Sequence, residues 1–451
     1  MNRSLTFSSS NVQFIREVKR VARFLVATIP VIGHVGPAVP IVRELVDRGH
    51  EVCWYTGQAF QATIEKIGAR FAPIRSWMDY SDIKNVPPAL MEQRETEQGA
   101  NRIKFDLKNF FINPGLGQAK DLSDLLYEFP ADILIADSMF LGASWIAEQK
   151  RLPWAEFGTS ALALSSPDTA PFGMGLLPSN TLFRRLRNQG LNWFARQTML
   201  RELKTYTNGL RSQIGLPPSA VHFFERISPF LYLSPSVPEF EYPRHYLPPQ
   251  IHFIGALLSP PPAEFTPPVW WNELKEHKPV VHVTQGTVST NLAELLVPTL
   301  QALADEAVLV VATTGGAAID TLNLTLPANA RIEPFIPHAH LLPHVDIMVT
   351  NGGYNGVQMA LANGIPLVVA GKTEEKPEVA ARVEWAKVGI NLRTRTPSPQ
   401  QIRAAVKTLL MDASYRVCAQ QLQTKMQQYN APAIAANLLE QLATTKQPVL
   451  R

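Results

Sequence analysis

Apolar positions recur along this chain in two alternating registers. From Arg23, "RFLVATIP" is a continuous apolar run of strand length. "AVPIVRELVDRGH" then spaces its apolar residues at helical intervals up to a stop at Gly49. "EVCWYTG" predicts a second strand, "FQATIEKIG" a helix closed by Gly68, and "RFAPI" a third strand. The pattern resumes in "ADILIADS", "FLGASWIAEQK" and "LPWAEFG". It loses its period between about residues 160 and 242, and returns in "FLYLSPS" and "IHFIGAL". Strands alternating with helices imply right-handed βαβ units and a parallel sheet covered on both faces.

"SPPPAEFTPPVWW", Ser259–Trp271, cannot be a helix interior or a central strand, because proline removes the donors both need. Beyond it a second alternation begins: "PVVHVTQGT", "AVLVVATTGG", "RIEPFIP", "VDIMVTNGG", "PLVVAG" and "GINL", with helical patterns near 399–410, 413–428 and 432–443. The expected architecture is therefore α/β, with two doubly wound, Rossmann-like domains facing across a cleft. Residues 1–258 form the first, 259–271 the linker and 272–430 the second, and a helix in 431–451 is free to cross back. Such halves bind a ligand at the carboxyl ends of their strands.

A chain of 451 residues accommodates two or three domains at about 150 residues each. Its net charge of +4 and the lack of a long Lys/Arg run argue against nucleic acid. With Cys53 and Cys418 as the only cysteines, neither a disulfide framework nor a cysteine zinc site is implied, and a reducing cytoplasm fits. The first twenty residues have no signal-type apolar stretch, and no window approaches the ~18 apolar residues of a membrane span. Neither "PVIGHVGP" nor "TQGTVST" has the Gly-x-Gly-x-x-Gly spacing of a dinucleotide site, which argues against a nicotinamide enzyme.

The glycines of the second half point instead to phosphate. "TQGT" follows a strand and is expected to open a helix, with Gly286 letting backbone approach and Thr287 adding a hydroxyl. "NGGYNG" (Asn351, Gly352, Gly353, then Asn355 and Gly356) does the same on a second helix. Two helix N-termini, each with about half a positive charge, would suit a diphosphate. Gly315-Gly316 would be a third wall. Read singly, each is equally a tight turn.

With "FIPH" (Phe335–His338), "NGGYNGVQM" (Asn351–Met359) and "EKPEVA" (Glu375–Ala380) in this order and spacing, the chain resembles family 1 glycosyltransferases of the bacterial macrolide and natural-product type, of GT-B architecture. The likeness spans nearly the whole chain from Arg23. It implies that Phe335 stacks on a pyrimidine base and the Ile336 backbone pairs with its edge, Phe335 being otherwise a core residue. It also implies that Asn351 stands where the family has a phosphate-binding His, and that Glu375-Lys376 stand for its sugar-holding Asp-Gln. The family's ribose-binding Glu is Met359 here, which accepts no useful hydrogen bond. Either Gln358 reaches over or the donor nucleoside carries fewer hydroxyls, as in a deoxythymidine diphosphate sugar.

His34, in "IPVIGHVGP", is expected on the loop after the first strand, and Asp137 ends "DILIADS". The residues alone leave a loop histidine and a strand-end carboxylate. The resemblance implies a dyad, with His34 the base and Asp137 its orienter. It also implies inverting chemistry with no metal or other cofactor. The expected partners are a UDP- or dTDP-linked sugar and a hydrophobic acceptor. Apolar residues in poorly periodic text, among them Trp77, Phe110, Phe172, Phe183 and Trp193, are the acceptor candidates; core packing is their other reading. Between 180 and 204, Arg184, Arg185, Arg187, Arg196, Arg201 and Lys204 stand beside Leu, Phe and Trp. That fits either a helix touching anionic lipid or a solvated face over the cleft. A sugar-nucleotide epimerase or hydrolase, and a non-catalytic binding relative, are the competing functions.

Overall fold

The computed structural model describes residues 21–178, 181–258, 261–262, 264–276, 278–286, 291–317 and 325–451. In the first half, β1 (Arg23–Ala27), β2 (Glu51–Thr56), β3 (Arg70–Pro73), β4 (Ile133–Asp137), β5 (Trp154–Phe157), β6 (Leu231–Ser234) and β7 (Ile251–Phe253) form a parallel sheet in the order β3-β2-β1-β4-β5-β6-β7. In the second, β8 (Val280–Thr284), β9 (Leu309–Thr313), β10 (Ala330–Glu333), β11 (Ile347–Thr350), β12 (Leu367–Val369) and β13 (Gly389–Asn391) run parallel in the order β10-β9-β8-β11-β12-β13. The strand order reverses between β1 and β4 in one sheet and between β8 and β11 in the other. Loops leaving such a pair diverge to opposite faces and open a crevice.

Alternation along each strand feeds two cores. Phe24 and Val26 of β1 pack with Ile41, Val42 and Leu45 of helix Ile32–Asp47, while Leu25 and Ala27 join Leu122 and Leu125 of helix Pro114–Glu128 and Ile146 of helix Leu141–Lys150. Both faces of the strand are therefore apolar, which is why it reads as a continuous run. Helix Ala431–Thr445 places Ala435, Ala436, Leu439 and Leu442 in the first of those cores, and its Glu440 holds Arg48 and His50. The chain end is thus packed on the first domain. No helix among the described residues is long and apolar enough to cross a membrane.

The stretch without clear period contains helices Leu182–Gln197 and Met199–Gln213. The loop before them is clamped to the second domain by a charge cluster. The Arg382 guanidinium, 1% exposed, donates to Glu241 Oε2 from Nε (3.0 Å) and lies against it through a second nitrogen (2.9 Å). It donates to Glu378 Oε2 at 3.2 Å and sits 4.2 Å over the Tyr242 ring. Glu378 in turn accepts the backbone N–H groups of Gly173 (3.0 Å) and Gly175 (2.8 Å), and Glu241 accepts that of Leu162 (3.0 Å). A Cβ on Gly175 would stand 2.7 Å from the Pro377 carbonyl oxygen, so only glycine allows this approach.

Removing one partner of a buried ion cluster leaves the others charged and desolvated. Arg382→Ala is expected to cost about 3–5 kcal/mol of stability. A denaturation midpoint equal to wild type would show that the cluster does not hold the domains.

Candidate active site

The sequence reading set His34 on a loop; the structure sets it in the first turn of helix Ile32–Asp47, which begins two residues earlier. The helix carries Pro37 and Pro40 internally. Proline has no N–H, so Pro37 cannot serve the Gly33 carbonyl four residues back. That carbonyl accepts instead from the Asn355 side-chain amide of the other domain, at 3.2 Å. The broken helical bond becomes a cross-link between the turn bearing His34 and the "NGGYNG" loop.

Asp137, fully buried at the end of β4, accepts the Ile29 N–H on Oδ2 (2.6 Å) and the Met139 N–H on Oδ1 (2.8 Å). Its Oδ1 lies 3.1 Å from His34 Nδ1. This contact is one of distance rather than alignment, since Nδ1 makes no well-directed hydrogen bond. It leaves Nε2 as the ring nitrogen free to take a proton. The two residues sit on the loop side of β1 and β4, at the strand-order reversal.

Glu156, one strand over on β5, is a buried carboxyl that periodicity alone did not single out, although a charge inside the apolar run "LPWAEFG" was the available signal. Burial pushes it up to about 8 from 4.5; Arg226 and the Ser228 N–H oppose this and nearby Asp137 adds to it. Burial and the nearby Asp137 charge therefore both favour the neutral form of the Glu156 carboxyl.

At the other reversal, Thr284 and Thr350 are paired in register and act alike. Each hydroxyl accepts the N–H two residues on, from Gly286 (3.3 Å) and Gly352 (3.2 Å). Gly286 (φ 71°) and Gly352 (φ 86°) are left-handed. Gly353 precedes helix Tyr354–Ala362 and donates to Asn351 Oδ1 at 3.3 Å, with Gly356 in the first turn. The Asn351 amide also donates to the Gln285 carbonyl, tying the two loops together and using one of its two hydrogens.

Among the described residues the first α-helix after β8 is Leu296–Leu303, and its opening N–H groups at Leu295 and Leu296 are taken by Gln285 Oε1. Thr287 lies outside the described residues. Gly315 and Gly316 both have positive φ, beyond β9.

Phe335 stands 67% exposed, and the Ile336 side chain is in the core beneath it. Gln358 is buried on the same face of its helix as Tyr354, and Met359 packs on the second domain's core, so neither side chain is presented for a ribose. Glu375 caps helix Lys376–Trp385, and its carboxyl interacts electrostatically with His34; burial raises its proton affinity while Lys376 and His34 lower it. Lys376 is tied to Glu374 rather than paired with Glu375.

The acceptor candidates separate. Trp77 donates its N–H to the Tyr55 hydroxyl and stacks edge-on with Tyr80 and Phe140, a support role. Phe110 packs on Tyr80, whose hydroxyl donates to the Phe110 carbonyl at 2.8 Å, a carbonyl that Pro114 leaves without a helical donor. Phe172 packs on Phe224 and the second domain's core, and Phe183 and Trp193 are 79% and 65% exposed on an outer helix face. The aromatic beside His34 is Phe111, another apolar residue of the same poorly periodic text, its ring centroid 6.4 Å from that of His34. It lies in a π-helical turn, Leu107–Ile112, whose Asn113 N–H reaches back to Lys108.

Comparison with known proteins agrees with this layout. The chain superposes on the glycosyltransferase of kitacinnamycin with a TM-score of 0.71 at 20% identity, covering 94% of this chain and 99% of that one. On the spinosyn rhamnosyltransferase SpnG, complexed with thymidine diphosphate, the score is 0.66 at 21% identity, covering 93% and 100%. The fold is thus that of the GT-B glycosyltransferases. The C-terminal domain model of erythromycin biosynthesis protein CIII-like proteins matches residues 295–442. The chain is 47% identical over 424 residues to 4'-demethylrebeccamycin synthase of Lentzea aerocolonigenes, covering 93% of this chain and 99% of that protein. It is 33% identical over 430 residues to UDP-glucosyltransferase 1 of Beauveria bassiana (strain ARSEF 2860), covering 89% and 91%. The chain belongs to glycosyltransferase family 1, and it is an enzyme that uses nucleotide sugars.

Because the native Glu156 carboxyl binds its proton more tightly than in the unfolded chain, its contribution to stability is complete below pH 4.5 and is lost as pH rises through about 8. Wild type should therefore lose melting temperature relative to Glu156→Gln between those limits. Parallel pH profiles for the two proteins would contradict the assignment.

Proposed function

We propose that the enzyme transfers a sugar, with inversion and without a metal, from a UDP- or dTDP-linked donor to a hydroxyl of a hydrophobic acceptor. The observation that carries this reading is the His34–Asp137 pair at 3.1 Å, on a helix turn tied by Asn355 to the loop of Gly352 and Gly353. His34 Nε2 takes the acceptor hydroxyl's proton as that oxygen attacks the anomeric carbon from the face opposite the leaving group. Asp137 keeps Nδ1 protonated and stabilises the imidazolium. The bond from the anomeric carbon to the diphosphate oxygen breaks, and the diphosphate leaves with its electron pair. The N-terminus of helix Tyr354–Ala362 receives that charge.

Phe335 provides a platform for the base, Glu375 a carboxylate for sugar hydroxyls on the side facing His34, and Phe111 an apolar wall for the acceptor. Metal independence belongs to this reading because the helix N-terminus would receive the leaving charge without an ion. The donor series follows from relatives named as UDP-glucosyltransferases and from a structural neighbour complexed with thymidine diphosphate.

Melting with UDP, dTDP and GDP, each with and without chelator, tests the donor half. At 100 times its dissociation constant a ligand should stabilise by about 2.7 kcal/mol, with one pyrimidine diphosphate effective and chelator without influence. No shift with any of the three would remove the diphosphate assignment. For the chemical half, His34→Ala should lower kcat by about 10²–10⁴ while leaving that shift in place. Undiminished transfer would remove His34 as the base.

A further inference from the structure

Helix Leu182–Gln197 is built the wrong way out for a soluble protein. At about 100° per residue, Leu182, Phe183, Leu186, Trp193 and Phe194 fall within an arc of about 120°. That arc faces solvent, with exposures of 75%, 79%, 58%, 65% and 61%. The inward side is polar. Asn188 donates to the Asp168 carbonyl at 3.1 Å, and Asn192 donates to the carbonyls of Ser166 (3.2 Å) and Thr169 (2.9 Å). An amphipathic surface helix normally buries its apolar stripe. Here hydrogen bonds hold the helix in place and the stripe is left for something else. A contiguous apolar patch of this kind marks an interaction site.

The charge around the stripe narrows the occupant. The helix carries Arg184, Arg185, Arg187 and Arg196 and no acidic residue. Arg187 borders the arc on one side, and Arg185 and Arg196 on the other. Arg185 and Arg196 are held by Asp168 and Glu225. Arg184, Arg187 and, just beyond the helix, Arg201 are in no ion pair among the described residues. At the junction with the next helix a hollow opens, lined by Lys108, Thr198, Arg201, Glu202, Thr205 and Tyr206. A second copy of the chain would bring arginines against arginines across a two-fold axis. A plane of anionic headgroups over hydrocarbon satisfies both parts, taking aromatic and leucine side chains below and arginines at the rim.

We infer that the enzyme docks peripherally on anionic phospholipid through the outer face of the 182–197 helix. Full-length protein should sediment with vesicles of equal parts phosphatidylglycerol and phosphatidylcholine. The bound fraction should fall at least about tenfold on phosphatidylcholine alone, and high salt should release it. Leu182→Glu/Leu186→Glu should lose sedimentation to a similar degree while melting within about two degrees of wild type, since both positions are exposed. A wild-type protein that ignores anionic vesicles, or a double variant that sediments as wild type does, overturns the inference. So does a wild-type dimer by light scattering that the double variant converts to monomers, because the stripe then serves a second copy.

Discussion

One buried guanidinium sets the relation between the two halves of this enzyme. Arg382 has no water to fall back on, so it holds only if Glu241, Glu378 and Tyr242 stand where they do. Buried charges add little net stability but penalise every arrangement that leaves them unpaired. The cluster therefore acts as a selector of geometry. It presses the 162–175 loop onto helix Lys376–Trp385, whose N-terminal flanking residue, Glu375, interacts electrostatically with His34.

A second constraint comes from proline. Pro37 and Pro114 each deprive a carbonyl of its helical donor, and in both cases a side chain from elsewhere fills the gap: Asn355 on Gly33 and Tyr80 on Phe110. One link ties the turn bearing His34 to the loop of Gly352 and Gly353. The other holds the π-helical turn that brings Phe111 to His34. The transfer proposed above requires base, acceptor and anomeric carbon to be aligned within tight limits, and these cross-links would provide a rigid frame for it. Asn351 takes a comparable part on the donor side, since its amide joins the loops after β8 and β11. Where the resemblance implies a phosphate-binding His, this chain has a structural bridge.

Much of this was legible in the chain. Period-two and period-3.6 patterns follow from which side of an element is covered, and in a parallel sheet both faces of a strand are covered, so the βαβ alternation stood out. Asp137 ends β4, Gly286 and Gly352 follow β8 and β11 by two residues, and their crevice position follows from topology; His34, expected on a loop, lies in the first turn of a helix. The acceptor side was not legible. An aromatic side chain carries the same apolar signature whether it supports a core, as Trp77 does, lies against a polar ring such as His34, as Phe111 does, or points outward, as Trp193 does.

By itself, then, the sequence determined two doubly wound sheets, the loops that carry the chemistry and the family they belong to, because local pattern and strand order suffice for these. Only the tertiary structure decided which way each face points. It turned the apolar side of the 182–197 helix outward, capped helix Leu296–Leu303 with Gln285, tied Lys376 to Glu374 and met the carbonyl freed by Pro37 with an amide 322 residues away. Direction and long-range partnership depend on what is packed opposite, and no local pattern of residues encodes that.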